Sequence, residues 1–230
     1  MAPERAFRPL SIRPPASFEL ATARALHEKG FPEEFLTRLG GRFLARYYRA
    51  FAESSHAVAL VAVEDPTARV VGVLLGTLDT GAHYGYLTRR HGPWLAIHAL
   101  ARAARDRRLA GELLRTRLAR YARGVVRSIL PGGSSDDPGP REKVGVLTQV
   151  TVDPDWRGLG VGAALLKAYE VRAQQAELDW LQLATRPGED GAGPFYERLG
   201  WRYEGERTSR SGERFSIYSK TVPDCSSEEG

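Results

Sequence analysis

Apolar positions in the first third of the chain recur at two periods. Phe35, Leu39, Phe43, Tyr47 and Phe51 follow one another at strict i, i+4 spacing, which predicts an amphipathic helix interrupted at Gly40-Gly41. Before it, a short apolar entry (FRPLSIRP) leads into Ala16–Lys29, a stretch of helix-forming composition that ends at Gly30. After it come two β-branched apolar runs, AVALVAVED (Ala57–Asp65) and RVVGVLLGTLDT (Arg69–Thr80). The turn-like DPTA joins them, so an antiparallel hairpin is expected.

From Gly81 to Leu130 the rhythm changes. The latter part carries Leu114, Leu118, Tyr121 and Val125 with arginines between them, a helical pattern on a basic background. PGGSSDDPGPREK then reads as a loop, and Ala82–Lys143 as an insertion. Beyond it a new alternation starts: strand Val144–Val152, a glycine-rich stretch, a helix in VGAALLKAYEVRAQQA, a strand in LDWLQLAT, a shorter helix in GAGPFYERLG, and strands in WRYEGER and FSIYSKTV. The order β-loop-α-β-α-β-β predicts an α/β domain whose sheet is not wholly parallel. One domain over residues 1–222 and a disordered tail over 223–230 are expected.

Composition narrows the class. With 230 residues and 42% apolar content the chain can build a sizeable core. The one cysteine, Cys225, lies near the C-terminus, so neither a disulfide framework nor a zinc-ligand cluster is expected. The N-terminal MAPERAFRPLSIRPP has charges and prolines where a secretory signal needs an apolar run, and no segment approaches the roughly 18 apolar residues of a membrane span. A soluble, cytoplasmic protein without metal is the expectation. The net charge of +5 is uneven: Gly81–Leu130 holds 11 arginines and two acids (Asp106 and Glu112), a local +9 that leaves −4 for everything else. This segment has no lysine and few aromatics, unlike a platform for single-stranded nucleic acid. No specific nucleic-acid partner is expected.

DPDWRGLGVGAALL (Asp153–Leu166) places three glycines within five positions ahead of a helix. A nucleotide P-loop needs G-x-x-x-x-G-K-[ST], whereas Lys167 lies five residues past Gly162 and is followed by alanine. Gly158, Gly160 and Ala163 satisfy the dinucleotide fingerprint, with Asp179 about 20 residues on. Yet DPDWR separates the glycines from their strand, and only 67 residues follow Ala163, too few for repeated βαβ units. Two readings stay open at this point: a plain strand-to-helix turn, or an anion cradle in which successive N–H groups run into a helix N-terminus.

V-D-P-D-W-R-G-L-G-V-G-A resembles motif A of the GCN5-related N-acetyltransferase (GNAT) superfamily, [QR]-x-x-G-x-[GA], with Arg157, Gly160 and Gly162 at the signature places. G-A-G-P-F-Y-E-R-L-G-W resembles the end of that family's motif B, and one helix and one strand separate the two, as in the family. The resemblance is close over Val144 to about Glu206; Phe7 to Thr80 match in element order only. It implies a mixed, mostly antiparallel central sheet with a parallel splay between the fourth and fifth strands, Val144–Val152 and Leu178–Thr185, helices on both faces, and here a helical Arg-rich insertion after the third strand, Arg69–Thr80. It further implies acetyl-CoA as donor, lying between the strands Val144–Val152 and Leu178–Thr185. The backbone of Val150, Thr151 and Val152 would pair with pantetheine amides. N–H groups of Arg157, Gly158, Leu159, Gly160, Val161, Gly162 and Ala163 would hold the pyrophosphate, with any side chain at Gly160 or Gly162 standing in its way. Tyr196, beside Phe195, takes the place of the general acid. Glu189 stands where the family often carries an asparagine that contacts the CoA arm.

The implied reaction is direct attack of a primary amine, on a small molecule or a peptide, on the thioester. Many family members carry a glutamate base inside the first central strand; VGVLTQVTV has none. Gln149 and Thr148 can only position a water, while Asp79, His83, His91 and His98 are alternatives, as is an amine deprotonated by solvent. Trp94, Leu95, Ile97 and Leu100 are weighed as the lining of a tunnel for a longer acyl chain. The basic insertion leaves several roles open: lid, site for an acidic acceptor, dock for an acyl carrier protein or an anionic membrane, contact with a second copy of the chain, or a solvated face. A CoA-binding protein without turnover, and a basic-surface binding protein on the same scaffold, are the readings outside enzymology.

Overall fold

The computed structural model describes residues 9–65, 67–106, 109–111, 142–188, 191–209 and 212–223. The expected helix around Leu114, Leu118, Tyr121 and Val125, as well as Glu189, Cys225 and the tail from 224, lies outside them.

The described elements run β1 (Leu10–Arg13), α1 (Leu20–Gly30), α2 (Phe35–Arg38), α3 (Gly41–Glu53), β2 (Ala57–Glu64), β3 (Arg69–Thr77), α4 (Thr80–Ala103) and β4 (Val144–Val152). A 3-10 turn at Pro154–Trp156, α5 (Val161–Gln175), β5 (Trp180–Thr185), α6 (Gly193–Arg198), β6 (Arg202–Thr208) and β7 (Arg214–Thr221) complete them. The seven strands form one sheet in the order β1-β2-β3-β4-β5-β7-β6. All neighbours are antiparallel except β4 and β5. The mixed sheet with one parallel pair that the resemblance implies is therefore present.

Strand β2 shows why helices must cover both faces. Val61 and Val63 join an apolar cluster with α1, α3 and α4, while the alternate residues Leu60 and Ala62 join a second cluster with α5. The i, i+4 stripe supplies the first cluster with Phe43, Tyr47 and Phe51, all buried. It is broken into α2 and α3 at Gly40, whose φ of 97° is a conformation that only glycine adopts without strain. In the second cluster Tyr169 is wholly buried and donates its hydroxyl hydrogen to the Thr77 carbonyl at 2.8 Å. A Cβ on Gly76 would stand 2.6 Å from the same ring, so that glycine lets α5 close on β3. Tyr169→Phe leaves a buried carbonyl without its donor and is expected to lower unfolding stability in urea by about 1–2 kcal/mol.

The segment after β3 begins as a continuous helix. α4 spans 24 residues, is capped by Asp79 Oδ1 accepting from the Ala82 N–H at 2.9 Å, and contains Pro93. Leu87, Leu95, Ala99 and Ala103 bury it in the first cluster, so this part is built into the core layer. Ile97 and Leu100, considered above for a tunnel wall, are instead 65% and 62% exposed on its outer face. Among the described residues no helix is long and apolar enough to cross a membrane.

α4 also carries His83, wholly buried with its ring 4.1 Å from that of Phe51. Burial first, and the nearby His56 second, push its pKa from 6.5 down to about 4. Above the higher value neither folded nor unfolded chain holds the proton. As pH falls the unfolded chain takes it up first, so stability is lost between the two values, by about 2 kcal/mol at about pH 5. His83→Phe is expected to remove that part of the acid-induced loss, measured by urea unfolding at about pH 7 and about pH 5.

Candidate active site

The site begins where two strands part. β4 and β5 pair only over Val144–Leu147 and Trp180–Leu183. On its other edge β4 slips by one residue against β3: Leu75 faces Gln149 while Gly76 faces Leu147, leaving Thr148 as a bulge. A bulge bends and twists its strand, and here it stands where the parallel ladder stops. The last five residues of β4 diverge from β5, and the ends of both strands line a cavity of about 1400 Å³.

Beyond β4 the chain is anchored before it reaches the glycines. The Asp153 N–H donates to the Val71 carbonyl at 2.8 Å, and the Asp153 carboxylate accepts from Arg69 Nη2 at 2.8 Å and from the Asp155 N–H at 3.2 Å. Burial pushes the Asp153 carboxyl up, but the hydrogen bonds from Asp155 and Arg69, with the charges of Lys29 and Arg69, together hold it below its ordinary range. Trp156 is 2% exposed and plugs the loop into the second cluster. Arg157 Nε donates back to the Val152 carbonyl at 3.3 Å.

The glycines then do different things. Gly158 and Gly160 have φ of 71° and 82°. Gly160 precedes α5, and a Cβ placed on it meets nothing within 4 Å. Gly162 has a further reason: its Cβ would stand 3.1 Å from Phe195 Cζ, so the glycine lets α5 pack closely on α6. The intrahelical ladder of α5 starts with Ala164 N–H to Gly160 O at 2.9 Å. The N–H groups of Val161, Gly162 and Ala163 therefore have no acceptor within the helix, and the positive end of the helix dipole faces the cavity.

α6 forms the opposite wall. It starts with Gly193-Pro194 and carries Phe195 and Tyr196. The Tyr196 ring is 6% exposed, packed against Phe195, Trp201 and Tyr218 at centroid distances of 5.2, 5.9 and 6.0 Å. Burial pushes its phenol well above the ordinary value. It is therefore protonated at neutral pH, a donor rather than a base.

Val150, Thr151, Val152, Arg157, Gly158, Gly160, Val161, Gly162, Ala163, Phe195 and Tyr196 thus line one cavity. Leu159 packs against the second cluster instead. Of the side chains weighed for the base, Thr148 and Gln149 stand on the wall. Asp79 is occupied in capping α4, His83 and His91 are buried in the helical layer, and His98 stacks on Trp94 at 3.5 Å. Leu95 lines the cavity from α4.

Sequence reasoning missed the far lobe, lined by Glu33 and Glu34 of the α1–α2 connection, Phe35 at the start of α2, Tyr47 of α3 and Tyr84 of α4. The Tyr47 and Tyr84 hydroxyls bond to each other. The available signal was the acidic pair in FPEEF, set inside an apolar run between two helices.

Residues 123–201 match the family model described as Acetyltransferase (GNAT) family. Over those residues the chain is similar to that family. Its fold is similar to that of solved GNAT-fold proteins over nearly its whole length. The ribosomal-protein-S18-alanine N-acetyltransferase from Escherichia coli is 12% identical, with 96% of this chain and 99% of that one covered and a TM-score of 0.52. Ard1 from Thermoplasma volcanium is 13% identical, covering 94% and 99% at a TM-score of 0.55. Aminoglycoside 6'-acetyltransferase type Ii is 14% identical, covering 93% and 97% at 0.55. No curated protein sequence matches the chain. The glycine loop and Tyr196 lie inside the matched residues.

Proposed function

We propose that the protein transfers the acetyl group of acetyl-CoA to a primary amine by direct attack. The observation that carries this reading is the continuity of the cavity, which runs from the glycine loop past Tyr196 to the lobe under α4. The bare N–H groups at the start of α5 suit a pyrophosphate, and the unpaired edge of Val150–Val152 suits the amides of pantetheine. The amine nitrogen attacks the thioester carbonyl carbon, the C–S bond breaks, and Tyr196 donates its proton to the departing sulfur. The ammonium loses one proton before attack and the same nitrogen a second one after it, both through water held by Thr148 and Gln149, and the phenol is reprotonated from solvent.

The fold does not select the acceptor. Two solved relatives are named for different ones, a ribosomal-protein alanine and an aminoglycoside. The test is calorimetric titration of the wild-type protein with acetyl-CoA, followed by thiol release in the presence of amines. Micromolar binding with amine-dependent release supports the proposal; no binding of acetyl-CoA overturns it.

A further inference from the structure

The two ends of the cavity differ chemically. Around the donor end the charged side chains are Arg157, Arg186 and Arg198. The lobe under α4 carries Glu33 and Glu34, and its remaining wall is dominated by apolar and aromatic side chains, among them Phe35, Phe43, Leu87 and Leu95. Glu213, in the turn before β7, is the other acid on the cavity wall. A volume of about 1400 Å³ exceeds the roughly 300–1,000 Å³ of an ordinary single-ligand pocket. It has room for a second substrate beside the donor.

Glu34 is held from behind. Its Oε2 lies 3.0 Å from Nε2 of the wholly buried His27, whose Nδ1 is 3.1 Å from the Tyr48 hydroxyl. The approach is off-axis: among the described residues neither Glu34 Oε2 nor His27 Nε2 completes an aligned hydrogen bond. That oxygen is enclosed against His27, whereas the Glu34 side chain as a whole is 39% exposed and lines the cavity, where the rest of its carboxylate can accept a charge-assisted hydrogen bond from a ligand N–H. The apolar wall adds the complementary demand. Sugar hydroxyls or further ammonium groups placed against phenylalanine and leucine would lose water and gain no partner.

We infer that the acceptor is a primary amine carried on an apolar or aromatic body, its ammonium received by Glu34 and its body by the lobe between Phe35, Phe43, Leu87 and Leu95. The inference rests on the acyl-transfer reading above and adds to it the class of the acceptor. Glu34 is then a group that touches substrate and decides which amines enter, through binding rather than through proton transfer.

The experiment compares 2-phenylethylamine and n-hexylamine with glucosamine and spermidine as acceptors for the wild-type protein, with acetyl-CoA saturating and thiol release followed. The expected kcat/KM is at least about fiftyfold higher for the first two, the range that apolar pockets and unpaired polar groups give. Glu34→Gln is expected to raise KM for 2-phenylethylamine about tenfold, with KM for acetyl-CoA changed less than about twofold. Calorimetric titration of the CoA-saturated wild-type protein with 2-phenylethylamine and with neutral 3-phenylpropan-1-ol repeats the comparison without turnover; the amine is expected to bind about tenfold more tightly. Equal use of all four amines, preference for glucosamine or spermidine, or an unchanged amine KM in Glu34→Gln overturns the inference while acetyl-CoA binding stands. Tighter binding of octanoyl-CoA than of acetyl-CoA, with no preference among amines, assigns the lobe to the acyl chain and overturns it likewise. Absence of acetyl-CoA binding overturns the acyl-transfer reading itself, and this inference with it.

Discussion

Gly160→Asp is expected to weaken acetyl-CoA binding at least a hundredfold, a loss of about 3 kcal/mol or more, while the protein stays folded. The residue precedes α5 with a φ of 82°, so a side chain there costs about 1–2 kcal/mol of backbone strain. Aspartate is among the residues that tolerate this left-handed region best, so the fold survives. The new carboxylate stands at the N–H groups that a pyrophosphate would use, and repels it. Calorimetry with acetyl-CoA beside urea unfolding of the same variant checks both halves: unchanged affinity would place the donor away from the glycine loop.

Tyr196→Phe is expected to lower kcat by about 10²–10³, the scale of a lost general acid, with acetyl-CoA affinity within about twofold of wild type. The ring keeps its contacts with Phe195, Trp201 and Tyr218, so packing is preserved and only the hydroxyl is removed. Burial keeps the phenol protonated well past neutral pH. The wild-type rate should therefore not fall through loss of this proton anywhere in the neutral range. Steady-state kinetics with a responsive amine decides the matter. A variant with wild-type kcat would remove Tyr196 from the proton step and leave it as a wall residue.

Most of the sheet was legible because its central strands β2, β3 and β4 are apolar runs bounded by turn residues. Val61 and Val63 face one way and Leu60 and Ala62 the other, an arrangement that a continuous apolar run already implies. The glycine loop was legible because φ values of 71° and 82° require glycine, and the requirement is visible as composition. What escaped was whatever depends on which side of a helix faces inward. Leu95 and Ile97 are two residues apart in α4, yet one is buried on the cavity wall and the other is exposed. Asp79 had the right chemistry for a base, but its place before a helix commits it to capping. Glu34 gave no local signal of its partner, because His27 reaches it from α1 and is itself held by Tyr48 of α3.

The parallel seam between β4 and β5 has a consequence for how this cavity can be altered. Strands β1–β4 and β5, β7 and β6 form two antiparallel blocks joined through four residue pairs. At the closed end of the seam Gly145 sits so tightly that a Cβ would stand 2.7 Å from both Leu178 and Leu181, and at the other end the bulge at Thr148 turns β4 away. The arrangement is that of a clothes-peg, pinched at the back and open at the front. The jaw angle is therefore set by residues that no ligand touches, and substitutions at Gly145, Leu178 or Leu181 can widen or narrow the mouth without changing its lining.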